Sequence, residues 1–253
     1  MTDWWETYFD EDYVRLWSLM RAGGDAGRQV QGLWGLLGLT EGARVLDAPC
    51  GYGRIARLLA EKGACVLGVD ISEPALREAE RCRGEVPTDR LAYRRHDLRF
   101  PLDASGFEAA LCLYTSIGYG SEEDDRHILS SLRNAVRPGG IVFVEAAHRD
   151  GVAARTGGGK TSERRLADGT RFVEERRLDA ASGRLESVRS WSGPAGSGAK
   201  ASSIRVYTEA ELSGLVRSAG LLVRSTHCGC SRRPFVERGG RASRRLGLLA
   251  VAA

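Results

Sequence analysis

The sequence predicts an α/β fold built on a mostly parallel sheet of seven strands, with helices on both faces. Five short apolar segments alternate with helical segments between residues 44 and 144, a pattern typical of parallel strands joined by helices. Two further apolar segments, 221–226 and 246–252, complete the sheet. The 253 residues are 42% hydrophobic and 28% charged, which is enough to fill the core of one large domain.

Local signals set the bounds of the predicted elements. Residues 10–22 and 25–38 carry apolar side chains at helical spacing and should form two N-terminal helices. Ser72 is a plausible N-cap for the helix after the second strand, with Pro74 in its first turn. A capping box, Thr208 to Glu211, should start another helix that stops at Gly220. The five core strands are predicted at 44–47, 65–70, 91–95, 109–113 and 141–144.

The segment after Asp150 differs from the core. Residues 170–178 and 184–191 predict two polar strands joined by a loop, as in an antiparallel hairpin lying against the main sheet. The glycine-rich segments 157–159 and 193–198 on either side read as flexible connectors.

Charge and hydropathy exclude several classes of protein. The formal charge of +4 is far from the basic stripe that would indicate a nucleic-acid binder. No apolar run approaches the ~20 residues of a membrane helix, and the acidic, aromatic N-terminus resembles no secretory signal. We therefore expect a cytoplasmic protein with reduced cysteines and no membrane partner. We expect no metal site, because Cys228 and Cys230 lack nearby partners.

The ends of the predicted strands carry the residues that point to a ligand. A loop with Gly51 and Gly53 follows Asp47, and glycines before a helix allow close approach of a ligand to the backbone. Asp70 ends the second strand, 23 residues after Asp47, where doubly wound folds place a ribose-binding carboxylate. Asp97 follows the third strand. Each acid alone could be a helix cap, but together they predict a site at the carboxyl edge of the sheet.

The motifs at these positions resemble those of class I S-adenosylmethionine-dependent methyltransferases. Residues 45–54, VLDAPCGYGR, resemble motif I, residues 69–72 resemble motif II, and residues 137–140, RPGG, resemble the turn before strand five. The resemblance covers residues 40–150 and implies a Rossmann-like fold. Pro49 stands where the family has its first glycine, which we interpret as the mark of a subgroup. The pattern Gly-x-Gly-x-x-Gly of dinucleotide enzymes is incomplete here.

This resemblance implies S-adenosylmethionine as the cofactor and assigns roles to nine residues. The methionine and adenosyl portions should contact the motif I loop, Asp70 should bind the ribose, and the adenine should lie near the acid after strand three. The residues implied are Asp47, Ala48, Gly51, Gly53, Asp70, Ile71, Asp97, Leu98 and Leu113.

Further features resemble the small-molecule branch of the family, which includes glycine and sugar N-methyltransferases of natural-product pathways. They are the aromatic N-terminus, the β insertion after strand five, and the segment from Ile204 to Leu212. The resemblance divides the chain into an N-terminal helical lid (1–40), a cofactor-binding core (41–150), the insertion (151–205) and the rest of the core sheet (206–253). The insertion is a candidate substrate cap or homodimer surface.

In that branch the acceptor is a small molecule, and its site lies between the lid and the core. We therefore expect Tyr8 and Tyr13 in catalytic roles and Trp17, Tyr114 and Tyr119 at the substrate, although the N-terminal rings could equally be core packing. His148, just past strand five, is a candidate general base for a hydroxyl acceptor or an ordinary loop histidine.

Three alternatives to transfer of a methyl group to an amine remain open from the sequence. The first is an O-methyltransferase that uses His148 as base. The second is an RNA methyltransferase in which the arginines from Arg164 to Arg189 contact phosphates; acids alternate with these arginines, which favours a solvated face instead. The third is a module that binds the cofactor without catalysis.

Overall fold

The computed structural model describes residues 3–21, 25–235 and 244–252. Within these ranges, the helices are α1 (Trp4–Tyr8), α2 (Glu11–Arg21), α3 (Ala26–Leu36), α4 (Arg54–Glu61), α5 (Glu73–Arg81), α6 (Glu122–Ala135), α7 (Arg149–Thr156) and α8 (Glu209–Ser218). The strands are β1 (Arg44–Asp47), β2 (Cys65–Asp70), β3 (Leu91–Arg95), β4 (Phe107–Cys112), β5 (Val136–Ala147), β6 (Lys160–Arg165), β7 (Arg171–Asp179), β8 (Arg184–Gly193), β9 (Gly196–Arg205), β10 (Leu221–Cys228) and β11 (Arg245–Ala252).

The main sheet confirms the predicted fold class. Its order is β10-β11-β5-β4-β1-β2-β3, with β1 to β5 parallel and β11 antiparallel to its neighbours β5 and β10. The chain reverses direction across the sheet between β1 and β4, where doubly wound folds bind their ligands. The carboxyl ends of β1, β2, β3, β4 and β5 therefore meet at one edge of the sheet.

Each face of the sheet has its own apolar core. On one face α3 and α4 bury Leu33, Ile55 and Leu59 against Val45 and Leu111. On the other face, α6 and α8 pack apolar side chains against β4, β5 and β11. Burying each large aliphatic side chain contributes about 1.5–3 kcal/mol, so these layers hold the strand ends in fixed positions.

The predicted helix starts are confirmed at two positions. Ser72 Oγ accepts the N–H of Ala75 at the start of α5, and Thr208 and Glu211 form a capping box at α8. The predicted turn at 137–140 is a bulge inside β5, because Val136 already pairs with Phe107 before Ile141 pairs with Ala109. None of the described helices is long and apolar enough to cross a membrane.

The segment after β5 is more regular than the sequence predicts. It forms a four-stranded antiparallel sheet, β6-β7-β8-β9, preceded by α7. The prediction of flexible connectors is wrong for 193–198, since Gly193 pairs with Gly196 across a tight hairpin turn. The outer strands β6 and β9 are polar and lack the alternation of apolar and polar residues that indicates a strand. The sequence therefore did not reveal them.

The four-stranded sheet packs on the N-terminal helices instead of lying against the main sheet. Phe172 and Trp191 of this sheet are buried against Leu16 and Trp17 of α2. Its last strand is tied to the loop after β4, because Arg205 N donates to the carbonyl of Gly118 over 2.7 Å. The N-terminal helices are thus held between the insertion and the sheet edge.

Candidate active site

A cavity of about 630 Å³ lies at the carboxyl edge of the main sheet. Its walls come from α1, α2, the loops after β1 to β4, and one face of the four-stranded sheet. Acids at the ends of β1 and β2 and after β3 line it together with aromatic and basic side chains. The topology therefore brings the predicted ligand-binding segments into a single space.

Asp70 joins the ends of two neighbouring strands. Its carboxylate accepts the backbone N–H of Gly51 over 2.7 Å and that of Ser72 over 2.9 Å. Burial raises the pKa of Asp70, and the backbone N–H groups oppose that shift. The side chain lines the cavity, and an ionised carboxylate has further lone pairs for ligand hydroxyls.

Asp47 and Arg54 present opposite charges beside the same loop. Asp47 Oδ2 and Arg54 Nη1 are both buried without a hydrogen-bond partner among the described residues. Burial raises the pKa of Asp47 to about 7, against the lowering effect of the Ala56 N–H at the start of α4. The Arg54 guanidinium lies 4.8 Å from the centroid of the Tyr114 ring. Unpartnered buried groups of both signs indicate a zwitterionic ligand.

Asp97 is held by Arg99, which also reaches the N-terminal helix. Arg99 Nη2 lies 2.7 Å from Asp97 Oδ2, and its guanidinium pairs with Asp3 at 3.2 Å and Glu6 at 3.3 Å. Burial favours a raised pKa for Asp97, but hydrogen bonds from Arg99 outweigh burial and lower it. The adenine-side loop and α1 are therefore linked through one guanidinium.

Aromatic rings, most of them from α1 and α2, form part of the cavity wall. Tyr13 stacks on Trp17 with centroids 4.6 Å apart, and Phe9 stacks on Tyr119 at 5.8 Å. Burial raises the pKa of Tyr13 and of Tyr119, so both phenols are neutral at physiological pH. The rings that line the cavity here are Trp4, Trp5, Tyr8, Phe9, Tyr13, Trp17 and Tyr119.

Arg189 of β8 anchors this aromatic wall. Its Nη1 donates to Tyr8 Oη over 2.5 Å, and its Nε donates to Glu174 over 2.8 Å. The guanidinium also lies 5.3 Å from the centroid of the Trp17 ring. The prediction that the arginines of this segment form a solvated face is wrong for Arg189, which is largely buried and faces the cavity.

The chain turns sharply at the end of β4, where Tyr114 and Thr115 adopt φ angles of 62° and 63°. Such angles are uncommon for residues other than glycine. The buried Glu145 fixes the turn, since it accepts the N–H of Tyr114 at Oε2 and that of Thr115 at its carbonyl, both over 3.0 Å. The turn directs Tyr114 into the cavity beside Arg54.

Twelve of the fifteen predicted site residues line the cavity. They are Tyr8, Tyr13, Trp17, Asp47, Gly51, Asp70, Ile71, Asp97, Leu98, Leu113, Tyr114 and Tyr119. Ala48 is fully buried behind the loop. Gly53 caps α4 at a φ of 73°, and a Cβ there would lie 2.3 Å from the Tyr93 hydroxyl. Gly53 therefore shapes the loop from outside the cavity.

His148 also lies apart from the cavity. It is completely buried, its Nδ1 accepts the N–H of Gly151 at the start of α7, and its ring packs edge-on against Phe235. It is not among the described residues that line the cavity. The expectation of a general base at this position is therefore not supported, and the geometry gives His148 the role of a helix cap.

Sequence reasoning assigned no site role to several arginines that line the cavity, among them Arg54, Arg99 and Arg189. Arg54 directly follows the glycine loop and begins α4. This position is a usable signal, because the first residue of that helix lies on the ligand side. Arg99 contacts Glu6 of α1, which lies 93 residues earlier in the sequence. Arg189 contacts Tyr8, which lies 181 residues earlier. No spacing rule predicts contacts of that kind.

Comparison with known proteins finds a family model that matches part of the chain. Residues 45–140 match the model of a methyltransferase domain. The mouse glycine N-methyltransferase (Mus musculus) is 29% identical over an alignment of 161 residues that covers 57% of this chain and 55% of that protein. The chain thus spans about half the length of the curated relatives it matches.

Two solved structures share the fold over nearly the whole chain. The CcbJ methyltransferase from Streptomyces caelestis has a TM-score of 0.77 and 21% identity, covering 91% of this chain and 98% of its own. CalS10, an amino pentose methyltransferase from Micromonospora echinaspora solved with bound S-adenosylmethionine, has a TM-score of 0.67 and 18% identity, covering 95% and 97%. At these identities the likeness establishes the fold.

Proposed function

We propose that the protein, whose residues 45–140 match the model of a methyltransferase domain, transfers a methyl group from S-adenosylmethionine to an amine of a small molecule. The observation that carries the proposal is the single cavity in which the motif I loop, Asp70 and a tyrosine-rich wall meet. When bound, S-adenosylmethionine supplies an electrophilic methyl group on a positively charged sulfur. The residues of the chain must then hold both reactants and exclude water.

The cofactor-side residues fit this ligand. The amino acid portion of the cofactor carries one ammonium and one carboxylate, which match the unpartnered Asp47 Oδ2 and Arg54 Nη1. Asp70 at the end of β2 supplies a carboxylate for ribose hydroxyls, and Asp97 and Leu98 line the side where the adenine would lie. Ile71 offers an apolar surface to the adenine ring.

The aromatic wall fits the reacting end of the cofactor. Electron-rich ring faces stabilise a cation by about 0.5–2 kcal/mol each, and more where water is excluded. Tyr8, Tyr13 and Tyr119 line the cavity as neutral phenols or hydrogen-bonded hydroxyls that can position a polar acceptor. Such positioning is the main source of rate enhancement in a direct displacement, up to about 7–11 kcal/mol.

An amine acceptor agrees better with this site than a hydroxyl acceptor. A neutral amine is already nucleophilic, whereas a hydroxyl benefits from a general base. The candidate base, His148, caps α7, and His96 Nε2 lies 3.1 Å from the carbonyl of Phe100 on the adenine side. His148 is not among the described residues that line the cavity, and His96 lines it beside Asp97.

A small acceptor, rather than a nucleic acid, is supported by the enclosure of the cavity. The four-stranded sheet and the N-terminal helices cover it, and Arg189 is engaged inside. The glycine N-methyltransferase and the amino pentose methyltransferase of calicheamicin biosynthesis act on small amines by their names. By analogy with these proteins, we propose a role in natural-product biosynthesis. In this proposal residues 1–40 act as a lid, and residues 151–205 act as a substrate cap or a dimer contact.

Calorimetry followed by turnover tests this proposal. The full chain should bind S-adenosylmethionine and S-adenosylhomocysteine, and it should release S-adenosylhomocysteine in the presence of an acceptor from a panel of matched amines and alcohols. Tyr8→Phe and Tyr13→Phe should lower turnover while the affinity for S-adenosylhomocysteine is kept. Leu222→Ala, a change on the exposed surface, serves as the control.

Two results would contradict the proposal. If neither cofactor form binds at millimolar concentration, the cofactor assignment is wrong. If the cofactor binds and only alcohols are methylated, the acceptor is a hydroxyl and the site must contain a base that we have not recognised.

A further inference from the structure

Arginines from the four-stranded sheet and from the start of β11 collect along the cavity. Arg164 on β6, Arg176 on β7, Arg244 before β11 and Arg245 at the start of β11 all line it. These four side chains come from three strands or their ends, and the fold brings together positions up to 81 residues apart in the sequence. The concentration of charge is therefore a property of the tertiary structure.

Strand register shows that this arrangement faces inward. On β7, Phe172, Glu174 and Arg176 share one face and line the cavity, while the residues between them point away. Arg164 pairs with Phe172 in the register of β6 and β7, so it lies on the same face. Alternation along the strands thus puts Arg164 and Arg176 on the cavity side of the sheet, with Arg164 still exposed to solvent, and Arg177 on the opposite side.

The described carboxylates do not balance this charge. Glu174 is shared between Arg189 at 2.8 Å and Arg176 at 3.3 Å. Glu145 pairs with Arg245 at 3.0 Å. Arg164 and Arg244 have no ion pair with a carboxylate in the part of the chain that the structure describes. Five guanidiniums, including Arg189, therefore face two carboxylates along this part of the cavity wall.

The arginines are close enough to repel one another. Burial lowers the pKa of Arg244, and the charges of Arg155, Arg176 and Arg245 lower it further. Like charges gathered with too few carboxylates to balance them cost free energy in the free protein, and an anion that binds between them recovers it.

We propose that the methyl acceptor carries an anionic group, a carboxylate or a phosphate, which the arginines at 164, 176 and 244 bind at the insertion end of the cavity. This inference rests on the proposed function, because it concerns the substrate of the same site. A planar guanidinium can donate two parallel hydrogen bonds to either group. The chemistry that the two groups share is therefore that of an anion with several acceptor oxygens. The anion would orient the acceptor with its amine toward the tyrosines.

Anion binding to the full chain saturated with S-adenosylhomocysteine tests the proposal. The probes are pyrophosphate and acetate, titrated by calorimetry at low ionic strength. We expect saturable binding of at least one of them, and at least a tenfold loss of affinity in the double variant Arg176→Gln/Arg244→Gln. Arg171→Gln is the matched control, since Arg171 pairs with Glu163 on the outward face of β7. Tighter binding of pyrophosphate indicates a phosphate-bearing acceptor, and tighter binding of acetate indicates a carboxylate.

The controls separate this inference from the function on which it rests. S-adenosylhomocysteine should bind the double variant as tightly as the wild type, which also reports that the variant is folded. If the cofactor product binds but neither anion does, or if the double variant binds the anion as well as the wild type, the inference is overturned and the proposed function stands. If the cofactor product does not bind the wild type, both are overturned.

Discussion

The backbone N–H of Gly51 donates a hydrogen bond to Asp70 Oδ2 over 2.7 Å, and this contact ties the loop after β1 to the end of β2. Gly51 adopts a φ of 55°, a conformation that favours glycine. The same carboxylate caps the Ser72 N–H, so one side chain organises both loops that face the cofactor. Loop shape and cofactor affinity should therefore change together when Asp70 is altered.

Replacement of Asp70 by alanine should weaken cofactor binding by about 10- to 100-fold, because hydrogen bonds to a charged group are worth roughly 1.5–3 kcal/mol. Calorimetry with S-adenosylhomocysteine measures the change. Asp89→Ala, an exposed acid outside the cavity, should leave the affinity unaltered. Unchanged affinity in Asp70→Ala would mean that the ribose lies elsewhere.

Cofactor affinity should fall as the pH drops through about 7. Burial raises the pKa of Asp47 to about 7 in the free protein, and only the ionised carboxylate attracts the ammonium of the cofactor. Below this pH a proton must be released on binding, which costs up to about tenfold in affinity per pH unit. Titrations between pH 5.5 and pH 8.5, a range chosen to span about two units around that pKa, measure the slope. Asp47→Asn should bind more weakly at high pH and show a flat profile; a slope that persists would place the titrating group elsewhere.

Arg54→Gln should weaken binding of S-adenosylhomocysteine by about tenfold or more, through loss of a charged hydrogen bond. Its affinity for 5′-methylthioadenosine, which lacks the amino acid portion, should stay the same. Arg57→Gln on the same helix is the control, because Arg57 pairs with Glu61 on the surface. Equal losses of affinity for both ligands would show that Arg54 maintains the shape of the loop and does not bind the carboxylate of the cofactor.

His148→Asn should keep turnover and its pH dependence, because asparagine also caps helices well. His148→Ala removes the cap and should lower the melting temperature, with a cost of about 0.5–2 kcal/mol. Thermal melts and pH-rate profiles of both variants decide the question. Loss of activity in a folded His148→Asn variant that binds cofactor would restore the histidine as a base.

Arg99→Gln should loosen the N-terminal helix, since the guanidinium holds Asp3 and Glu6 to Asp97. Hydrogen exchange of residues 3–9 should become faster, and the affinity for acceptor should drop more than the affinity for cofactor. Arg126→Gln, which breaks an exposed pair with Glu123 on α6, provides the comparison. Equal exchange in the two variants would contradict a role for Arg99 in holding α1.

Much of the core was predictable because its determinants are local. The Ser72 cap, the Thr208–Glu211 capping box and the apolar strands each depend on neighbouring residues, so the sequence predicts them and the structure confirms them. The strands β6 and β9 escaped prediction because they are held by pairing with β7 and β8 rather than by apolar alternation. The burial of His148 could not be predicted, because position at a sheet edge does not determine which way a side chain faces.

The sequence by itself determined the α/β fold, the order of the motifs and the cofactor family. These features depend on short segments, because the chemistry of each loop dictates the glycines and acids at the strand ends. Only the tertiary structure decided the acceptor side. Arg189 reaches Tyr8, and Arg176 comes near Arg244, through packing of a distant sheet on α2. Contacts of this kind depend on how layers stack, and stacking is set by the whole core rather than by any short segment.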